Sequence, residues 1–181
     1  GQRAKNAVVS IDKPFIRPIV RGKEVKPVEF GAKVHKLQID GISFIEHLDF
    51  NAYHEGKRMK QTLYKAQSLT HTKVKILGAD AIYATNVNRK YLSSKNIRTD
   101  FKIKGRRGRH YEHKTQIAKM ITKERASRLE GSFGTDKECF LLKKIKARTQ
   151  KTEVLWIFFG IHTANALNIG NRIAKAQLKA A

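Results

Sequence analysis

Acidic residues, cysteine and long apolar runs are all scarce in this chain of 181 residues. Its single cysteine, Cys139, excludes an internal disulfide and any cysteine-cluster zinc site, and it suits a reducing compartment. The densest apolar run, residues 154–161, is far shorter than the roughly 20 residues that a membrane-spanning helix needs. The sequence therefore argues against a disulfide-stabilised scaffold and against a membrane span within these residues.

Basic residues are correspondingly abundant, with 38 Lys and Arg against 15 Asp and Glu and a formal net charge of +23. A domain this basic repels itself unless a polyanion binds it, and nucleic acid is the usual partner. An anionic membrane surface is the alternative, but it would favour one amphipathic basic helix rather than charge along the whole chain. We therefore expect nucleic acid, and no membrane, as the partner.

Periodicity and turn residues predict an alternation of strands and helices. The clearest signal is Asp40-Gly41, a two-residue hairpin turn, because glycine accepts the positive φ that such a turn requires. In the strand predicted last, Asp100 falls on the solvent side of the alternation. The predicted elements are strands at 28–39 and 42–50, a helix at 55–69, a buried strand at 74–79, a short helix from Asn86 to Leu92, a half-exposed strand at 97–103, and helices at 114–133 and 152–178.

This order predicts a single α/β domain over residues 1–181, with a ribonuclease H-like mixed sheet and flanking helices. Residues 1–27 form an irregular or edge arm, residues 28–150 carry the sheet and its helices, and residues 152–178 form the terminal helix. The aromatic residues Trp156, Phe158 and Phe159 are expected in the core.

Two carboxylates fall where such a fold gathers its acids. Asp80 ends the predicted strand 74–79, and open α/β sheets bind ligands at the carboxyl ends of their strands. Glu130 lies in the late basic helix. A plain alternative makes Asp80 a turn residue and Glu130 a surface acid. The fold alone also nominates Asp12 as a first acid, because it follows the β-prone run 7–11.

Several blocks resemble bacterial insertion-sequence transposases of the DDE (Asp–Asp–Glu) type. They are residues 17–23 and 28–33, Asn51-Ala52-Tyr53-His54-Glu55-Gly56, Ala79-Asp80-Ala81-Ile82-Tyr83, and Leu129-Glu130-Gly131-Ser132-Phe133-Gly134 with Lys137. The resemblance covers roughly residues 8–165. It implies that Asp80 and Glu130 are the second and third catalytic acids of a ribonuclease H-like, integrase-like domain.

The resemblance also implies a cofactor and partners. Asp80 and Glu130 would be ligands of a two-metal magnesium or manganese site that cleaves and transfers DNA strands. The partners would be transposon ends and target DNA, with a homodimer as a candidate for the active complex. The location would be the bacterial cytoplasm, in association with the nucleoid.

The chain departs from the family pattern in two ways. The family has an Arg four positions before the glutamate and a Tyr three before that, where this chain has Ala126 and Lys123. The first acid of the family lies on a first strand upstream of residue 1, so we expect an incomplete catalytic domain without its first strand. The resemblance therefore argues against Asp12.

Basic side chains near the acids are the predicted DNA contacts. Residues 89–151 hold 20 Lys and Arg against 6 Asp and Glu. The predicted contacts are Arg125, Arg128, Lys137 and the loop residues Arg106, Arg107 and Arg109. Three functions stay open: a transposase catalytic domain, an inactive DNA-binding remnant of one, and an unrelated basic structural nucleic-acid-binding protein.

Overall fold

The computed structural model describes residues 10–20, 28–106 and 108–180 and has a mixed α/β architecture. It divides the chain into two compact units. The first comprises residues 1–37, 42–53 and 136–181, and the second comprises residues 38–41 and 54–135. The predicted run 7–11 lies mostly outside the described residues, and residues 10 and 11 are not in a strand.

The strands of the first unit form two separate pairs. β1 (Pro18–Val20) pairs antiparallel with β2 (Val28–Phe30). β3 (Lys33–Ile39) pairs with β4 (Ile42–Asp49) across the predicted turn, where Asp40 and Gly41 have φ of 45° and 76°. Positive φ at both turn residues is the signature of a type I′ hairpin. The hairpin is therefore confirmed, although residues 28–39 form two strands rather than one.

The terminal helix α5 (Gln150–Ala180) packs on β4, as its amphipathic pattern requires. Ile157 and Ile161 are buried, and the Asn165 amide binds the backbone of Ser43 by accepting its N–H at 2.9 Å and donating to its C=O at 2.7 Å. The predicted helix 152–178 is confirmed.

The prediction that Trp156, Phe158 and Phe159 lie in the core was wrong for the two phenylalanines, which are 45% and 62% exposed. Trp156 is half-buried, and its indole N–H donates to the carbonyl of Leu141 at 3.2 Å. Residues 158 and 159 lie away from the helix face of Ile157 and Ile161 that packs inward.

Two largely buried ion pairs lie in the interior of this unit, beside its apolar residues. Lys36 binds Asp136 at 2.6 Å, with side chains 1% and 7% exposed. Lys13 binds Glu153 at 2.7 Å. His35, Lys36 and Leu37 are consecutive and all buried, so β3 is covered on both faces at these residues.

The second unit is built around one apolar cluster. α1 (Met59–Thr70) follows a 3-10 turn at Glu55–Arg58 and confirms the predicted helix. Its Met59 and Leu63 are buried in the cluster. The other buried members are Tyr83, Leu92 and Phe101.

A helix and a strand pair follow α1. α2 (Asn86–Ser94) begins at Asn86, as predicted, and continues beyond Leu92. Thr85 is its N-cap, and the Thr85 hydroxyl accepts the backbone N–H of Asn88. β5 (Ile76–Leu77) and β6 (Arg98–Thr99) pair in parallel, with Ile76 opposite Arg98 and Leu77 opposite Thr99. Both strands are shorter than predicted.

The prediction that residues 74–79 form a buried strand was wrong. Ile76 is 57% exposed. Within the described residues β5 has one neighbour, β6, so its other edge is not covered by a strand.

A continuous helical segment completes this part of the chain. α3 (Tyr111–Glu124) passes into a π-helix (Arg125–Glu130), which passes into α4 (Gly131–Cys139). None of the described helices is long and apolar enough to cross a membrane.

Candidate functional site

Asp80 lies just beyond the carboxyl end of β5, where the sequence predicts a ligand-binding acid. It precedes a 3-10 turn, Ala81–Tyr83, and its carbonyl accepts the N–H of Tyr83 at 2.9 Å. Its side chain is 68% exposed. An exposed carboxylate on a hydrogen-bonded turn is accessible to a cation or a substrate.

The turn after Asp80 is held by the segment that precedes α1. A Cβ at Gly56 would lie 2.5 Å from the carbonyl oxygen of Ile82, so only glycine permits this approach. The buried Asn88 amide donates to the carbonyls of Gly56 at 2.7 Å and Tyr83 at 2.9 Å. The Tyr83 hydroxyl donates to Glu55. Two sequence blocks, residues 51–56 and 79–83, thus meet here.

Arg125 binds two acids at the carboxyl ends of the parallel strands. Its Nη1 donates to Asp80, and its Nε donates to Asp100 at 3.0 Å. Asp100 also accepts the N–H of Ala79 at 3.1 Å. Gly78 allows the helix to come this close, because a Cβ there would lie 3.0 Å from Ile121 and 3.5 Å from Cβ of Arg125.

Asp100 is the site residue that the sequence analysis missed. Alternation placed it on the solvent side of a strand, yet its side chain is only 3% exposed. β6 ends at Thr99, so the alternation does not extend to residue 100. The available signal was positional: Asp100 follows β6 much as Asp80 follows β5.

Glu130 ends the π-helix, and its side chain lies outside the part of the chain that the structure describes. Arg125 is the first residue of this π-helix and Glu130 is the last. π-Helical turns occur frequently at functional sites.

The predicted DNA contacts are distributed over both units. In the second, Arg128 pairs with Asp40 at 3.1 Å and with Glu124 at 2.7 Å while remaining half exposed. Such exposed pairs contribute about 0–1 kcal/mol each, so a phosphate can replace them at little cost. Arg106 and Arg109 are exposed, whereas Arg107 lies outside the described residues.

In the first unit, Lys137 is exposed on α4. Asp12 is also exposed, near the beginning of the described chain. Burial lowers the pKa of Lys36, against the opposing hydrogen bond and charge of Asp136. This cation is buried against Asp136 and is not available to DNA.

The acids do not form a complete metal cage. Among the described residues, no group of three or more His, Cys, Asp or Glu side chains is placed to hold a metal ion. Asp80 and Asp100 are two carboxylates that meet at one cation, the guanidinium of Arg125. Carboxylate oxygens are the ligands that magnesium prefers, and it commonly takes only one or two of them together with water and substrate phosphates. The donor chemistry therefore fits a magnesium or manganese ion.

Comparison of the chain with protein-family models, with curated proteins and with solved structures finds no match.

Proposed function

We propose that this chain is part of the catalytic domain of a DDE-type transposase with a ribonuclease H-like fold, which cleaves and transfers DNA strands in the bacterial cytoplasm. The observation that carries the proposal is the position of Asp80. It is an exposed carboxylate at the carboxyl end of a parallel strand pair, on a turn held by Gly56 and Asn88. A structural protein has no need for an exposed acid in such a position.

Contact between separate blocks supports the resemblance. The segment that ends at Gly56 and the segment from Ala79 to Tyr83 suggested the family independently, and in the structure they touch through Gly56 and Ile82. The glycine in the first block has a physical reason, which is the close approach to the turn that presents Asp80.

The proposal requires one more strand and one more acid. The described strands form three separate two-stranded sheets, β1–β2, β3–β4 and β5–β6. In a ribonuclease H-like sheet, a first strand carrying the first Asp belongs with the hairpin and the parallel strands. We propose that sequence outside residues 1–181 supplies it.

Asp80 and Glu130 would hold the metal ions, with the third carboxylate added by that strand. When bound, magnesium or manganese stabilises the attacking and leaving oxygens of an in-line displacement at phosphorus. The part played by this chain is to fix Asp80 on its turn and to bring positive charge to the phosphates.

Binding to double-stranded DNA is tested by salt titration. Each neutralised phosphate contributes a slope of about −0.9 to log affinity against log salt. From about 50 to 200 mM salt we expect a loss of affinity on the order of a hundredfold or more. Replacing Arg106, Arg107 and Arg109 together by Gln should make the slope shallower. A flat salt response in the parent chain would remove the electrostatic basis of the proposal.

The catalytic assignment is tested with a longer protein that includes the first acid. This protein should nick supercoiled DNA in the presence of Mn²⁺, and Asp80→Asn or Glu130→Gln should abolish nicking without weakening DNA binding, because each swap keeps shape and removes one ligand charge. Asp12→Asn, in an exposed acid outside the site, is the control and should nick normally. Full activity in both acid variants would refute the assignment.

A second candidate is a DNA-binding remnant that does not cut. It is favoured by two observations: the described residues contain no group of three acids placed to hold a metal ion, and the Asp80 carboxylate is paired with Arg125. In that case the 181-residue chain binds DNA, and the longer protein also fails to nick it. A homodimer in the active complex would be seen as a twofold mass on DNA carrying both transposon ends.

A further inference from the structure

Arg125 binds its two acids through different nitrogens and in different environments. The Nε bond goes to Asp100, whose side chain is 3% exposed, and the Nη1 bond goes to Asp80, whose side chain is 68% exposed. Arg125 itself is 18% exposed. Water screens the Asp80 arm strongly and the Asp100 arm weakly.

The two arms therefore differ in how easily they break. Asp100 is held twice, by Arg125 and by the N–H of Ala79, so it fixes the guanidinium relative to the end of β5. The exposed arm resembles a surface ion pair, which is weak because solvent competes for both partners. Asp80 can release Nη1 without any change at Asp100.

We propose that Arg125 is an exchangeable counter-ion of Asp80 that competes with a divalent cation for this carboxylate. A bound metal ion would take the Asp80 oxygens, while Asp100 keeps Arg125 in place. This inference rests on the proposed function, since it takes Asp80 as a metal ligand, and it adds a control on when the metal binds.

The direct test measures Mn²⁺ binding to the 181-residue chain, from the electron paramagnetic resonance signal of free Mn²⁺ during titration. Arg125→Gln removes the competing charge and should tighten Mn²⁺ binding about fivefold, which is the factor equivalent to the upper strength of an exposed ion pair. Arg128→Gln is the matched control. It removes one positive charge from the same π-helix, but Arg128 pairs with Asp40 and Glu124, so the affinity should change less than twofold.

A second variant separates the effect of Arg125 on Mn²⁺ affinity from its effect on stability. Arg125→Gln leaves the buried Asp100 carboxylate without this guanidinium, which can destabilise the unit. The double variant Arg125→Gln with Asp100→Asn removes both charges, and the Asn oxygen can still accept the N–H of Ala79. It should bind Mn²⁺ with the same fivefold gain. Adding Asp80→Asn to either variant should abolish the gain.

The outcomes distinguish this inference from the proposed function. A gain that depends on Asp80 supports the exchange, whether or not the longer protein nicks DNA. Mn²⁺ binding that needs Asp80 but is unchanged by Arg125→Gln overturns the exchange and leaves the proposed function standing. Mn²⁺ binding that is unaffected by Asp80→Asn, or no binding in any variant, overturns the exchange. The proposed function, which needs a third acid, is decided separately by nicking in the longer protein.

Discussion

The buried pair of Lys36 and Asp136 gives the sharpest stability prediction. The two side chains are 1% and 7% exposed and lie 2.6 Å apart. Removing one partner of a buried pair costs about 3–5 kcal/mol, because the remaining charge stays in a poorly solvating interior. Lys36→Met should therefore lower the free energy of unfolding by this amount, which corresponds to a fall of about 6–20 °C in the melting temperature for a chain of this size.

The double variant shows whether the ion pair stabilises the fold or only offsets the cost of burying its two charges. Lys36→Met with Asp136→Leu removes both desolvated charges and replaces them by apolar groups, which is often neutral or stabilising by about 1–4 kcal/mol. We expect the double variant to be at least as stable as the parent. Lys143→Met is the control, because Lys143 pairs with Glu138 at 68% and 63% exposure and should cost less than about 1 kcal/mol.

The assay is urea unfolding followed by the fluorescence of Trp156, which is the only tryptophan and lies in the same unit. If Lys36→Met costs no more than the exposed control, the pair is not buried as the structure has it. If the double variant is as unstable as the single one, volume rather than charge decides stability at this position.

The same pair gives a pH dependence of known sign. Burial lowers the pKa of Lys36 below its usual 10.5. Between the folded and unfolded pKa values the unfolded chain binds more protons, so the contribution of Lys36 to stability rises with pH. It is complete above about 10.5 and is lost as pH falls through the lower, folded pKa. The parent should therefore gain stability relative to the double variant as pH is raised toward 10.5.

Two further predictions concern contacts that hold one element on another. Asn165→Ala removes two hydrogen bonds to the backbone of Ser43 and should lower the free energy of unfolding in urea by about 2–3 kcal/mol. A loss below about 0.5 kcal/mol would mean that water replaces the amide. Gly56→Ala places a Cβ 2.5 Å from the Ile82 carbonyl and should lower the free energy of unfolding, followed by circular dichroism, by about 1–3 kcal/mol. Gly108→Ala is the control, because a Cβ there has no atom within 4 Å, and it should change this free energy by no more than about 0.5 kcal/mol. Equal effects of the two variants would contradict the close approach at Gly56.

The elements that the sequence predicts best are those with strong local signals. The hairpin follows from Asp40-Gly41, whose positive φ values the structure contains. The helices at 59–70 and 150–180 follow from a repeat of apolar residues that continues over several turns. These signals depend on neighbours in the sequence and need no knowledge of the rest of the chain.

Burial at the edge of β5 could not be predicted in the same way. The run from Val74 to Ala79 is apolar enough for a central strand, but burial depends on which strands lie beside it. β5 pairs with β6 alone among the described residues, and Ile76 is exposed. The role of Asp100 was hidden for a related reason, because it depends on Arg125, which is 25 residues away in the sequence.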